Sequence, residues 1–148
     1  MRSENQISAS IQAAPIDAAS LLESFGTDAD GAVSAFVGRI RNHDPETGES
    51  HVVAIEYSSH PDAEAVLTRI VSEAAENTSA SRDLHILVIH RVGTVKVGEV
   101  ALLVLVASPH RKPGIDLASL IVEQVKAELP IWKKQILDDG NGIWSRLP

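Results

Sequence analysis

Residues 84–108 read LHILVIHRVGTVKVGEVALLVLVAS, and the fold turns on this stretch. Two β-branched apolar runs, Leu84–Val92 and Glu99–Ser108, flank a short segment bounded by Gly93 and Gly98. Each run is too short for a stable helix and too apolar for a loop, so each reads as a buried strand. The short glycine-bounded connection predicts that they pair antiparallel. His85 and His90 lie five apart on the first run, an odd offset that sends them to opposite faces.

Downstream, Pro113 and Asp116 mark the opening of a helix carrying Leu117, Leu120, Ile121, Val125 and Leu129. Pro130 ends it, because proline cannot donate the helical hydrogen bond. Ile131–Leu137 then reads as a strand, and Asp139-Gly140-Asn141-Gly142 turns the chain toward Trp144. Upstream, Ala63, Val66, Leu67, Ile70, Val71, Ala74 and Ala75 form the clearest helical stripe in the chain. Pro61 and Asp62 stand at its start, where a fixed φ and a negative charge favour a helix. Residues 51–58 alternate, with Val53, Ile55 and Tyr57 on one face and Val52, Ala54 and Glu56 on the other. The segment 42–50 is a polar loop, 32–40 a buried strand, and 28–31 a turn. A first helix follows Pro15 with Ile16, Ala19, Leu22 and Phe25 at helical spacing. Residues 1–14 read as a flexible leader, leaving 15–148 as a single domain. Helices mixed with antiparallel strands give the class α+β.

The chain has 148 residues and 44% hydrophobic content, enough for one well-formed core. It contains no cysteine, which removes disulfides, thiolate metal sites and a thiol nucleophile. Sulfur chemistry, if present, must use sulfur carried by another molecule. No signal-type leader is evident and the longest apolar run, Val100–Ala107, is far below the ~20 residues of a membrane span. The expectation is a cytoplasmic protein without membrane contact. A net charge of −7 speaks against nucleic-acid binding, which relies on neutralising phosphates.

Other chemistries lack their residues. No paired-histidine helix motif supports a metal site, and neither the P-loop nor the dinucleotide fingerprint occurs. The Gly-x-Ser-x-Gly elbow is missing. Glu56 is the one acid that invites a glycosidase reading, and a strand-edge ion pair explains it equally well. What remains is cationic. Arg39 and Arg41 close a buried strand and, two apart, project to one side. His110, Arg111 and Lys112 close another strand at the start of a helix, where free N–H groups favour an anion. Lys126 lies late in that helix and Lys133 on the strand after Pro130. An acidic chain that gathers cations in a few segments is suited to a small anion. Taken singly, Arg41 could equally cap a strand, Lys126 could snorkel from a helix edge, and His110 could be a turn histidine.

Four segments in order carry a family resemblance: Gly38-Arg39-Ile40-Arg41-Asn42-His43, His90-Arg91-Val92-Gly93, Ser108-Pro109-His110-Arg111, and Val125-Lys126-Ala127-Glu128-Leu129-Pro130-Ile131-Trp132-Lys133. With Gly142-Ile143-Trp144 they resemble the molybdopterin synthase large subunit, the MoaE family, across roughly residues 15–146. The resemblance implies the α/β-hammerhead fold and a sulfurtransferase working without a cofactor. It implies a homodimer inside a heterotetramer, with two small ubiquitin-like subunits whose Gly-Gly tails carry a thiocarboxylate. Those tails would deliver sulfur to cyclic pyranopterin monophosphate, forming the dithiolene of molybdopterin in molybdenum cofactor biosynthesis. By the same resemblance Lys126, Lys133 and His110 are catalytic. Arg41, His110, Arg111, Lys126 and Lys133 bind substrate, Arg39 supports them, and Arg91 is structural or peripheral. Pro109 and Lys112-Pro113-Gly114 depart from the family's pattern. A binding module without turnover and a Schiff-base enzyme using Lys126 are the rival readings.

Overall fold

The computed structural model describes residues 5–78 and 83–146. Its elements are β1 (Gln6–Gln12), α1 (Ala18–Ser24), β2 (Ala32–Arg39), β3 (Val52–Ser59), α2 (Ala63–Glu76), β4 (His85–Arg91), β5 (Gly93–Lys96), β6 (Val100–Ser108), α3 (Arg111–Glu128), β7 (Ile131–Leu137) and β8 (Gly142–Arg146), with a 3₁₀ turn at Pro45–Thr47. They build two four-stranded sheets, ordered β1-β4-β6-β2 and β5-β3-β7-β8. The α+β class read from the sequence is the one present.

In the first sheet β6 lies between β4 and β2 and is buried along nearly its whole length. Strand parity explains the continuous apolar run. Leu102, Val104 and Val106 face α2 and α3 in the main core, whereas Leu103 and Leu105 join Ile16 and Ile89 beneath α1. A strand covered on both faces cannot alternate. The stripe of α2 is buried as its spacing requires, from Ala63 through Leu67, Ile70 and Val71 to Ala74 and Ala75. Fully burying one such Leu or Ile is worth about 1.5–3 kcal/mol, so this stripe alone anchors the helix firmly.

Four expectations change. Residues 6–12, read as part of a flexible leader, form β1, parallel to β4 from Gln6↔His85 to Gln12↔Arg91; residues 1–4 of that leader lie outside the described residues. Ile7, Ala9 and Ile11 alternate inward and pack on the core, a period-2 pattern masked by the polar residues between them. The segment 93–98 is no simple hairpin. Although β4 and β6 do pair antiparallel, β5 leaves their sheet and pairs with β3 in the second. Val53 does not share the inward face of Ile55 and Tyr57, because a bulge between Val52 and Ala54 turns it out to solvent. Helix α3 also opens earlier than Pro113, with His110 at its N-cap.

The second sheet packs only part of its surface. Ile55 and Tyr57 point inward beside Gln135 and Lys133 of β7, while Glu56, Ser58, Trp132 and Lys134 lie on the opposite face. That outward face carries Trp132 and Trp144 exposed, with the Lys134 ammonium 5.5 Å from the Trp144 ring. No described helix is long and apolar enough to cross a membrane.

A candidate active site

The two sheets and the end of α3 enclose a cleft of 510 Å³. Arg39 and Arg41 enter it from the end of β2, Lys126 from α3, and Lys133 and Gln135 from β7. Asp44 and Glu46 enter from the polar loop, and Phe36, Ile55 and Tyr57 form apolar wall. Four of the cations named from the sequence therefore converge. Glu56 lies on the far face of its strand and takes no part, which removes the glycosidase reading's only acid.

Each side chain is held by its backbone. A bulge between Gly38 and Arg39 shifts the register of β2 on β6, so that Arg39 pairs with Val100. Ile40 then exchanges backbone hydrogen bonds with the 98–99 turn, and Arg39 Nε donates to the Gly98 carbonyl at 3.0 Å. Lys126 occupies the last turn of α3, where a cation complements the helix dipole. Pro130 turns the chain, and register sets Lys133 opposite Tyr57 and Gln135 opposite Ile55. The loop is stapled to itself. Asp44 Oδ1 accepts from the Glu46 N–H at 3.0 Å, Thr47 Oγ1 donates to the Asp44 and Ser50 carbonyls, and Val52 N–H donates to Asn42 at 2.8 Å.

Beneath the cleft a smaller cavity of 90 Å³ is lined by Tyr57, His90 and Lys126 among others. His90, only 3% exposed, meets the Tyr57 ring edge-on at 5.1 Å. Its Nδ1 lies 2.7 Å from the Arg91 carbonyl, which can only accept, so the proton sits on Nδ1. Burial holds the imidazole down to a pKa of about 4, against the pull of that hydrogen bond, and the Lys126 charge lowers it further. Burial likewise pushes the Tyr57 phenol up to about 12. Both groups are neutral near pH 7. The sequence marked His90 only as part of a motif; its place behind Lys126 arises from pairing between distant strands. Gln135, 2% exposed, has an unpartnered Oε1 and was missed because a lone strand glutamine carries no pattern.

His110 and Arg111 do not reach this cleft within one chain. They stand at the opposite end of α3 from Lys126, roughly 24 Å away at ~1.5 Å per residue. Both are exposed, and Ser108 Oγ donates to the His110 carbonyl at 2.7 Å, fixing the turn into the helix. Arg111 instead rims a groove of 520 Å³ between β2 and α3, lined by Ser34 and Phe36 of β2 and Ile115 and Val122 of α3. Arg91 is buried and structural: it donates to the carbonyls of Ala13 and Thr94 and lies 3.5 Å from Glu99. Among the described residues no group of three or more His, Asp or Glu is arranged to hold a metal ion.

Comparison with known proteins agrees with this architecture. The family model described as MoaE protein matches residues 11–128. The molybdopterin synthase catalytic subunit of Bos taurus is 34% identical over 117 residues, covering 78% of this chain. This chain spans only 59% of that relative's length. The catalytic subunit of Bacillus subtilis is 31% identical over 127 residues, covering 85% of this chain and 77% of its own. The crystal structure of molybdopterin synthase from Staphylococcus aureus superposes with a TM-score of 0.80 at 30% identity, covering 93% of this chain and 96% of that one. The segment matched by the family model contains Arg39, Arg41 and Lys126 of the cleft and His110 and Arg111 at the start of α3, and ends before Lys133. The chain belongs to the MoaE protein family.

Proposed function

We propose that this chain is the catalytic subunit of a molybdopterin synthase, moving sulfur from the thiocarboxylate tail of a small ubiquitin-like subunit to cyclic pyranopterin monophosphate. The observation that carries the reading is the cleft itself. A protein of net charge −7 turns Arg39, Arg41, Lys126 and Lys133 toward one 510 Å³ space. Four cations against two loop carboxylates, Asp44 and Glu46, leave a positive excess that an anion can satisfy, and both a peptide terminus and a phosphate are anions. The chain has no cysteine, in keeping with sulfur that arrives on a partner. Each delivery would form a carbon–sulfur bond on the pterin side chain in place of a carbon–oxygen bond, and water would cleave the carrier's acyl carbon–sulfur bond to leave its tail a carboxylate; two deliveries, with opening of the cyclic phosphate, would complete the dithiolene. Lys126, exposed at the cleft beside neutral His90, is the candidate acid–base group, and Lys133 with Arg41 and Arg39 would hold negative charge. The same proposal has the reaction run in the cytoplasm.

His110 and Arg111 enter this site only from a second copy. Strand β2 is a sheet edge, with Ala32 beside Ser108 at one end and Arg39 opening on the cleft at the other. Two copies meeting antiparallel along β2 and the apolar groove would bring each His110–Arg111 pair toward the partner's Arg39 and Arg41. Eight residues of strand span roughly 27 Å at ~3.4 Å each, a match for the ~24 Å along α3. Both charged residues of the groove lie on α3, Arg111 in its first turn and Glu123 nearer its end, so an antiparallel twofold would set each Arg111 toward the partner copy's Glu123. Two such copies with two small subunits would make the heterotetramer.

The test is reconstitution with a thiocarboxylated small subunit and the cyclic pterin, following dithiolene formation. Product formed stoichiometrically with carrier consumed supports the proposal. No product, from a carrier that serves another synthase, contradicts it.

A further inference from the structure

The cationic cleft already holds an anion of its own. Asp44 stands on the polar loop with its side chain 15% exposed, while its neighbour Arg41 is 67% exposed. Its Oδ2 lies 3.6 Å from the Arg41 guanidinium, and its Oδ1 is fixed by the Glu46 N–H at 3.0 Å. Asp44, Arg41, Lys133 and Gln135 line the same space. The carboxyl is held below its usual range, first by the Glu46 N–H against the cost of burial, then by the Gln135 amide and the charges of Lys133 and Arg41. The other half of the cleft differs. Around Lys126 the walls are Phe36, Tyr57 and neutral His90, with no carboxylate among the residues lining the small cavity.

We propose that Asp44 is a specificity-determining residue: a resident counter-ion that an incoming anion must displace from Arg41 and Lys133. Its stapled loop keeps the carboxylate in place, so a free anion meets repulsion there and open charge at Arg39 and Lys126. A weakly held ion is rejected. An anion presented with further contacts draws Arg41 and Lys133 away from Asp44, which stays on its loop. The inference rests on the anion-receiving cleft of the proposed function, and not on turnover.

Inorganic phosphate, titrated calorimetrically into the whole chain, Asp44→Asn and Asp44→Ala at one ionic strength, is the test. Asparagine keeps an oxygen for the Glu46 N–H and removes only the charge. The expected result is phosphate binding about tenfold tighter in both variants, the order of effect of one adjacent charge on a partly buried ionic site. Equal affinity in wild type and Asp44→Asn overturns the inference, as does weaker binding, which would make Asp44 an organiser of the cations. A gain confined to Asp44→Ala also overturns it, since loop release would then be the cause. Absence of phosphate binding in all three proteins, with the fold intact by circular dichroism, overturns this inference together with the anion-cleft reading.

Discussion

The two ends of α3 do different work. At its C-terminal end Lys126 sits in a walled cleft with Arg39, Arg41 and Lys133, above a buried, neutral Tyr57–His90 pair. At its N-terminal end His110 and Arg111 stand exposed beside an open apolar groove. One end is a concave site with four cations; the other offers His110, Arg111 and an uncovered apolar surface. A helix of 18 residues keeps the two apart in one chain. Under the proposed function, one copy of this fold would carry both parts of a site without being able to close it.

Changes at either end sharpen or break that contrast. Lys126→Ala should lower turnover by ~10²-fold or more, the scale of a lost acid–base or electrostatic group, while small-subunit binding persists. Near-normal turnover would remove the cleft end from the chemistry. Ile115→Asp places a charge in the groove and should shift the chain toward monomer in sedimentation, with activity falling about tenfold and the helical signal kept. An unaltered dimer would show that the groove is not the interface. Beneath the cleft, His90 is neutral in the fold and takes a proton near 6.5 when unfolded. The unfolded state therefore binds more protons as pH falls, and stability declines by about 1.4 kcal/mol per unit between pH 6.5 and about 4. Denaturant titrations at pH 7 and 5 should reveal this slope, and His90→Phe should flatten it. At the groove end, a methyl on Gly114 would lie 2.7 Å from Ser108 Oγ and 3.1 Å from Ser34 Oγ. Overpacking of ~1–3 kcal/mol against a helix-propensity gain of ~1 kcal/mol leaves Gly114→Ala destabilised by about 1 kcal/mol. A raised melting temperature would contradict this close approach.

Much of the fold was legible because its patterns are local. The stripe of α2 and the runs of β4 and β6 depend on neighbours a few residues away, and both formed as read. Strands β1 and β5 did not follow, for one physical reason. The pairing partner of each, β4 in one case and β3 in the other, cannot be inferred from spacing. The glycines at 93 and 98, with φ of 80° and 88°, mark turns without saying which sheet the chain enters between them. The site divides the same way. The two-residue spacing of Arg39 and Arg41 was enough to put them on one side, and they share the cleft. The junction of Lys126 with Lys133 came through family resemblance, because it depends on how β7 returns after Pro130. The distance from His110 to Lys126 was calculable from helix rise alone. Asp44 and Gln135 carry no motif, and only the folded loop and β3–β7 register reveal them.

The composite site can be tested by mixing two defective chains. Lys126→Ala spoils the cleft of its own chain, and Arg111→Ala spoils only what that chain lends to its partner. Co-refolded with the small subunit in equal amounts, half the dimers would be mixed and each would hold one intact site, so activity should recover to about a quarter of wild type. Recovery no greater than the sum of the two variants alone would contradict the account, and would mean that His110 and Arg111 serve no partner's cleft.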